Sequence, residues 1–210
     1  MFASLAMICG VAVALLLFAE AKGRPRLRAA SKLTAAAAFI GLALAGDALG
    51  SAVGCLILAG LVLCAAGDAF LLSARAGPFL AGMGAFAAGH AFYIAAFIAG
   101  GVRLGPGVCA ASALALVFVG AFFLVMRSRL GAFLPFVAAY CAIISAMLIA
   151  SFAHVAAEAP AGGVRALAAV GFALSDISVA RDRFVRPDLS NRLWGLPLYF
   201  ATQCLFAISV

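Results

Sequence analysis

Residues 52–73 read AVGCLILAGLVLCAAGDAFLLS, a run of apolar and small residues broken by a single charge, Asp68, close to its C-terminal end. A helix crossing the hydrocarbon core of a bilayer needs ~20 predominantly apolar residues, so this run is long enough to span. An ionisable side chain in that environment costs roughly 2.5 kcal/mol or more unless it faces a cavity or a partner. The stretch therefore predicts a membrane helix with one face turned toward something polar.

Seven further runs of similar character lie on either side, at about 2–19, 32–49, 78–100, 106–126, 131–154, 162–181 and 190–209. With 68% of the 210 residues hydrophobic and only 10% charged, the composition departs from that of soluble domains. The expected fold is all-α: one polytopic bundle of eight transmembrane helices, a single domain over residues 1–210. Abundant alanine and glycine favour close helix packing, and Gly46, Gly67, Gly82 and Gly89 read as packing positions. Gly105, Pro106 and Gly107 mark a turn before the fifth span, and Pro187 ends the seventh. Gly46-Asp47 and Gly67-Asp68 echo each other without making a repeat.

The net charge of +7 does not point to nucleic acid, because the basic residues sit between apolar spans instead of on an aromatic-laced surface. Lys22, Arg24, Arg26, Arg28 and Lys32 flank the first connection, Arg75 the third, Arg127 and Arg129 the fifth, and Arg181, Arg183, Arg186 and Arg192 the seventh. Only Arg103 and Arg165 fall on the other side. The positive-inside rule then makes the odd connections cytoplasmic and leaves both termini outside. No basic segment precedes the first apolar run, so it reads as a retained span and not a cleaved signal. Alanine- and arginine-rich usage is bacterial in style, which suggests an inner membrane. The six cysteines (Cys9, Cys55, Cys64, Cys109, Cys141 and Cys204) all lie in predicted spans without C-x-x-C spacing and read as small apolar residues.

Depth along each span tests whether the scattered polar residues can meet. At 1.5 Å per residue, Asp68 and Asp176 both lie roughly 8 Å from the cytoplasmic ends of their spans, Tyr140 and Tyr199 roughly 14 Å, and His90 and Gln203 roughly 18 to 20 Å. Side chains from five helices can thus line one polar cavity open to the cytoplasm. Simpler readings compete. Asp68 could pair with Arg75 and Asp176 with Arg183, His90 could hydrogen-bond a neighbouring helix, and the tyrosines could belong to an interfacial belt. Asp47, His154 and Glu158 fall near the outer ends and read as anchoring or capping groups. With two histidines at separate depths, a three-histidine zinc hydrolase is excluded.

An ordered set of short motifs runs through the third to eighth spans: Ala66-Gly67-Asp68-Ala69-Phe70-Leu71-Leu72; Gly82, Phe86, His90 and Tyr93 as G-x-x-x-F-x-x-x-H-x-x-Y; Tyr140; Gly171-Phe172-Ala173-Leu174-Ser175-Asp176; and Tyr199 with Gln203. In this the chain resembles the YhhN family of eight-span membrane proteins, whose characterised members are lysoplasmalogenases. The first two spans contribute little, and Leu33 stands after Lys32 where the family pattern has proline. The resemblance implies hydrolysis of the vinyl ether of a lysophospholipid held in the membrane, to a fatty aldehyde and a glycerophospho-alcohol, with no cofactor, nucleotide or metal.

That chemistry needs an acid to protonate the carbon β to the ether oxygen, and an anion beside the resulting oxocarbenium ion. Two carboxyl groups in a poorly solvated cavity can divide the roles, one keeping its proton while the other stays ionised, as paired carboxylates do in glycosidases. Asp68 and Asp176 are the expected pair, with His90 as a third catalytic candidate. Tyr93, Tyr140, Tyr199 and Gln203 are expected to position water and glycerol oxygens, and Lys32 and Arg183, at the rim, to meet the phosphate. Intramembrane Asp and His residues also form proton relays in transporters, and a non-catalytic lipid-binding protein could use the same pocket.

Overall fold

The computed structural model describes residues 1–158 and 161–210. Its regular structure is entirely helical among the described residues, in eight long helices: α1 (Phe2–Ala21), α2 (Pro25–Ala45), α3 (Ala52–Phe70), α4 (Ala76–Ala99), α5 (Pro106–Met126), α6 (Leu134–Val155), α7 (Ala161–Phe184) and α8 (Leu189–Ile208). Seven of them are long and apolar enough to cross a membrane. The eighth, α8, has a spanning length of 20 residues, but Asn191, Arg192, Thr202 and Gln203 dilute its apolar character. Three of these four are buried against other helices. Large apolar side chains such as Val11, Leu114, Val117 and Val125 stand on the outer surface, where a bilayer supplies the apolar environment that water would not.

Neighbouring helices pack in pairs, α1 with α2, α3 with α4 and α7 with α8, and both α1 and α2 also pack on α8. Between them, α6 packs on α4, α5 and α7. Small residues let the pairs close up. A side chain at Gly67 of α3 would run into the Phe86 ring of α4, and one at Gly89 of α4 into Cys64 of α3. Gly46 and Gly82 are equally close to Val210 and Leu71, so all four glycines are packing positions as expected. The cysteines are free thiols. Cys9 and Cys64 are buried, whereas Cys55 and Cys109 face outward.

Polar contacts define two ends of the bundle. At the end that collects most of the basic residues, the Arg28 guanidinium donates to the Leu72 carbonyl, and Arg183 donates to the Ala74 carbonyl at 2.9 Å. Arg192 bridges Glu20 at 2.6 Å and Asp182 at 3.0 Å. Phe133, in the connection from α5 to α6, packs edge-on against Phe79 and Phe184. The first, third, fifth and seventh connections therefore share one end, as the charge pattern predicts. At the opposite end, His154 Nδ1 donates to the Gly101 carbonyl at 2.9 Å, which leaves Nε2 to accept from Arg165 at 2.8 Å. Arg165 also meets Glu158 at 2.9 Å and the Ser209 carbonyl at 2.7 Å. Through Arg165, His154 and Glu158 thus tie the fourth and sixth connections to the C-terminal end of α8, a larger part than anchoring. Asp47 precedes a short 3-10 turn in a left-handed conformation, with φ 61°.

The second span departs from expectation. It begins at Pro25, not at 32, because proline's fixed φ suits the first helical position and its missing N–H is not needed there. Lys32 consequently lies two turns inside α2, roughly 10 Å from its start, instead of at the rim.

Candidate active site

The polar residues singled out in the sequence converge near the basic end of the bundle. Seven of the eight helices, all but α1, contribute to the wall of a cavity of about 120 Å³. Its polar lining consists of Lys32, Asp68, Tyr140, Ser175, Asp176, Ser178 and Tyr199, and the remainder is apolar. Both carboxylates face this one space.

Their surroundings differ. Asp68 is buried at the C-terminal end of α3, only two residues before the last helical position. Lys32 Nζ lies 3.1 Å from its Oδ1, and the Tyr199 hydroxyl donates to its Oδ2 at 2.7 Å. Behind Tyr199 the chain of bonds continues: the Gln203 amide donates to the Tyr199 oxygen at 3.0 Å, and the Tyr93 hydroxyl donates to Gln203 Oε1 at 2.9 Å. Five side chains from α2, α3, α4 and α8 thus form one continuous line. Asp176 lies eight residues before the end of α7, roughly 12 Å along the helix, and receives the Tyr140 hydroxyl at 3.1 Å. It has no ion-pair partner among the described residues.

Several expectations need correction. Asp68 does not pair with Arg75, which is exposed, because Lys32 reaches it from α2. Lys32 is therefore a buried carboxylate partner and does not stand at the rim. Asp176 does not pair with Arg183: the guanidinium of Arg183 lies 4.5 Å from the Phe79 ring centroid and close to Phe133. The two carboxylates are not at equal helical depth either, because α3 ends at Phe70 while α7 runs on to Phe184. Tyr140 and Tyr199 serve the carboxylates and are not belt residues.

His90 is brought close but not into the lining. Its ring is fully buried, 4.5 Å from the Phe172 ring and 5.5 Å from that of Tyr140. Neither ring nitrogen has a hydrogen-bond partner among the described residues. Tyr93 and Gln203 likewise stand behind the lining, connected to it through Tyr199.

Ser175 and Ser178 are the polar lining residues for which the sequence pattern suggests no role. They share one face of α7 at i, i+3 spacing, and Ser178 lies against Gly195 of α8. Both hydroxyls donate back to helix carbonyls, Phe172 and Ser175, at 2.7 Å.

The profile of the YhhN family matches residues 27–210, a span that contains every one of these side chains. The chain belongs to the YhhN family. Among related proteins, bovine lysoplasmalogenase TMEM86A is 34% identical over 158 residues, covering 73% of this chain and 64% of the bovine protein. Human lysoplasmalogenase TMEM86A is 31% identical over 161 residues, with the same coverage of each chain. Mouse lysoplasmalogenase TMEM86B is 35% identical over 154 residues, covering 73% of this chain and 62% of the mouse protein. This YhhN chain thus spans just under two thirds of the length of the curated relatives it matches. No solved structure matches it.

Proposed function

We propose that this YhhN protein is a membrane-embedded lysoplasmalogenase that hydrolyses the vinyl ether of a single-chain ether phospholipid without a cofactor. The observation that carries the reading is the asymmetric pair of carboxyl groups on one cavity. Asp68 has a lysine at 3.1 Å, and Asp176 has, among the described residues, only a tyrosine hydroxyl. The names of the bovine, human and mouse relatives support the same bond.

In this reading the Lys32 ammonium keeps Asp68 ionised. Asp176, without a cation to hold its charge, is the proton donor, and the Tyr140 hydroxyl on Oδ2 fixes which oxygen is free to carry that proton. Asp176 protonates the carbon β to the ether oxygen, and the positive charge that develops at the ether carbon is stabilised by the Asp68 carboxylate. Water adds to this carbon and passes its proton to Asp68. The hemiacetal then collapses: Asp68 returns that proton to the departing glycerol oxygen, the hemiacetal hydroxyl gives its proton to Asp176, and both carboxyl groups regain their starting states. The products are a fatty aldehyde and a glycerophospho-alcohol. Tyr199, held by Gln203 and Tyr93, fixes the direction of the Asp68 carboxylate, and His90 acts through Tyr140 as a positioning residue. Arg183, beside the cavity's Phe79, is the basic group best placed to meet the phosphate.

The basic end faces the cytoplasm in this reading, with both termini on the opposite side of a bacterial inner membrane. The decisive experiment is aldehyde release from lysoplasmalogen by detergent-purified protein, with Asp68→Asn and Asp176→Asn each lowering turnover by at least ~100-fold, the scale of one positioned acid or base. Near-normal turnover by either folded variant removes that carboxyl from the mechanism. No release by the parent protein, with solute flux in proteoliposomes, makes the cavity that of a transporter.

A further inference from the structure

The cavity is too small for the lipid it would serve. A void of ~150 Å³ accommodates a benzene molecule, so about 120 Å³ holds only the reacting end of a long hydrocarbon chain. The rest of that chain has to leave the protein. The deep end offers no exit: Phe86, Ile144, Ala173 and Tyr199 are all buried there, and Phe172 and His90 fill the space behind them with fully buried rings.

The side wall is different. α5 rests on α6 and makes no extended contact with α4 or α7, and it is the least buried of the spanning helices. Two apolar residues belong both to the cavity lining and to the outer surface: Phe118 on α5, 45% exposed, and Val179 on α7, 38% exposed. Of the lining residues on α4, Phe79 and Phe86 are buried and Met83 is half-buried, none of them exposed. The cavity therefore reaches the lipid-facing surface between α5 and α7, along a path whose sides are apolar and whose inner end carries Asp176.

We propose that the gap between α5 and α7, flanked by Phe118 and Val179, is a lateral portal through which the hydrocarbon chain of a single-chain lipid runs from the cavity into the bilayer. The inference takes from the proposed function only the kind of lipid. Its consequence is a specificity rule: the protein contacts the carbons nearest the headgroup and leaves the distal chain in the membrane, so turnover is insensitive to chain length once the chain reaches through the gap.

A lysophospholipid carrying a diazirine at mid-chain, photolysed on the purified full-length protein and mapped by peptide mass spectrometry, tests the portal without requiring catalysis. The expected result is labelling of the α5 and α7 peptides containing Phe118 and Val179. Excess unlabelled lysophospholipid should remove the label, and Val179→Trp and, separately, Phe118→Trp should reduce it several-fold. In the hydrolysis assay the same variants should lower the ratio of long-chain to short-chain turnover at least tenfold. Competable label confined to other helices, no competable label, or an unchanged label in both tryptophan variants overturns the portal. Label at the portal from a parent protein that releases no aldehyde leaves the portal standing and removes the hydrolase.

Discussion

Replacing Lys32 by methionine removes the cation from a buried carboxylate while keeping most of the side-chain volume. Two unit charges 3.1 Å apart attract by about 5 kcal/mol at an effective dielectric constant of ~20, and part of this offsets the desolvation of both groups. Removing one member of a buried pair leaves the other without compensation and typically costs 3–5 kcal/mol. Both side chains here are at most 10% exposed, so Lys32→Met should destabilise the fold by about 3 kcal/mol, or roughly two powers of ten in the unfolding equilibrium. The double variant Lys32→Met/Asp68→Leu removes both charges and should recover at least about half of that loss. Unfolding of the purified proteins in mixed micelles with increasing denaturing detergent measures all four corners of the cycle. A single variant within about 0.5 kcal/mol of the parent, or strictly additive single effects, would refute the pairing as a structural bond.

Other substitutions probe the site and the packing around it. Tyr140→Phe deletes the one hydrogen bond that Asp176 receives among the described residues and should lower aldehyde release by roughly 10- to 100-fold, the worth of a bond to an ionisable group, together with a lower unfolding midpoint from a loss of about 1–3 kcal/mol. His90→Phe should leave the fold as stable as before, within about 1 kcal/mol, because neither nitrogen is hydrogen-bonded among the described residues and the ring sits among aromatic neighbours. Its turnover should nonetheless fall, and full activity would strip His90 of its positioning role. Gly67→Val should cost about 1–3 kcal/mol through overpacking against Phe86, seen as a lower unfolding temperature; a neutral result would contradict the close approach of α3 and α4.

The spans were legible because a bilayer imposes one length and one composition on every helix that crosses it. Their ends were less so, as at Pro25, where helix-start chemistry outweighs the arginines around it. That Asp68, Asp176, Tyr140 and Tyr199 share the half of the bundle toward the basic end was legible from their positions along the spans, although the helix ends at Phe70 and Phe184 give the two carboxylates different helical depths. Who bonds whom was not legible. Arg75 and Arg183 are closer in sequence to the carboxylates than Lys32 is to either, yet both remain outside the cavity. Pairing between helices depends on which faces meet, and that information resides in glycine contacts such as Gly67 with Phe86, not in the spacing along one segment. The two serines on α7 stand three residues apart on one helix face and line the same cavity, a spacing that is legible in the sequence.

The contact between Lys32 and Asp68 also bears on how the protein is made. α2 and α3 leave the ribosome in succession, whereas Tyr199 and Gln203, which complete the line of hydrogen bonds, follow more than a hundred residues later. A lone aspartate or lysine costs an inserting helix roughly 2.5–3.5 kcal/mol at its centre and less toward its ends, where Asp68 lies. Inserted together as a hairpin, the two helices neutralise each other from the start, and Asp68 has a partner throughout the interval before α8 arrives. The same bond that orients a carboxylate in the finished protein thereby escorts it into the membrane.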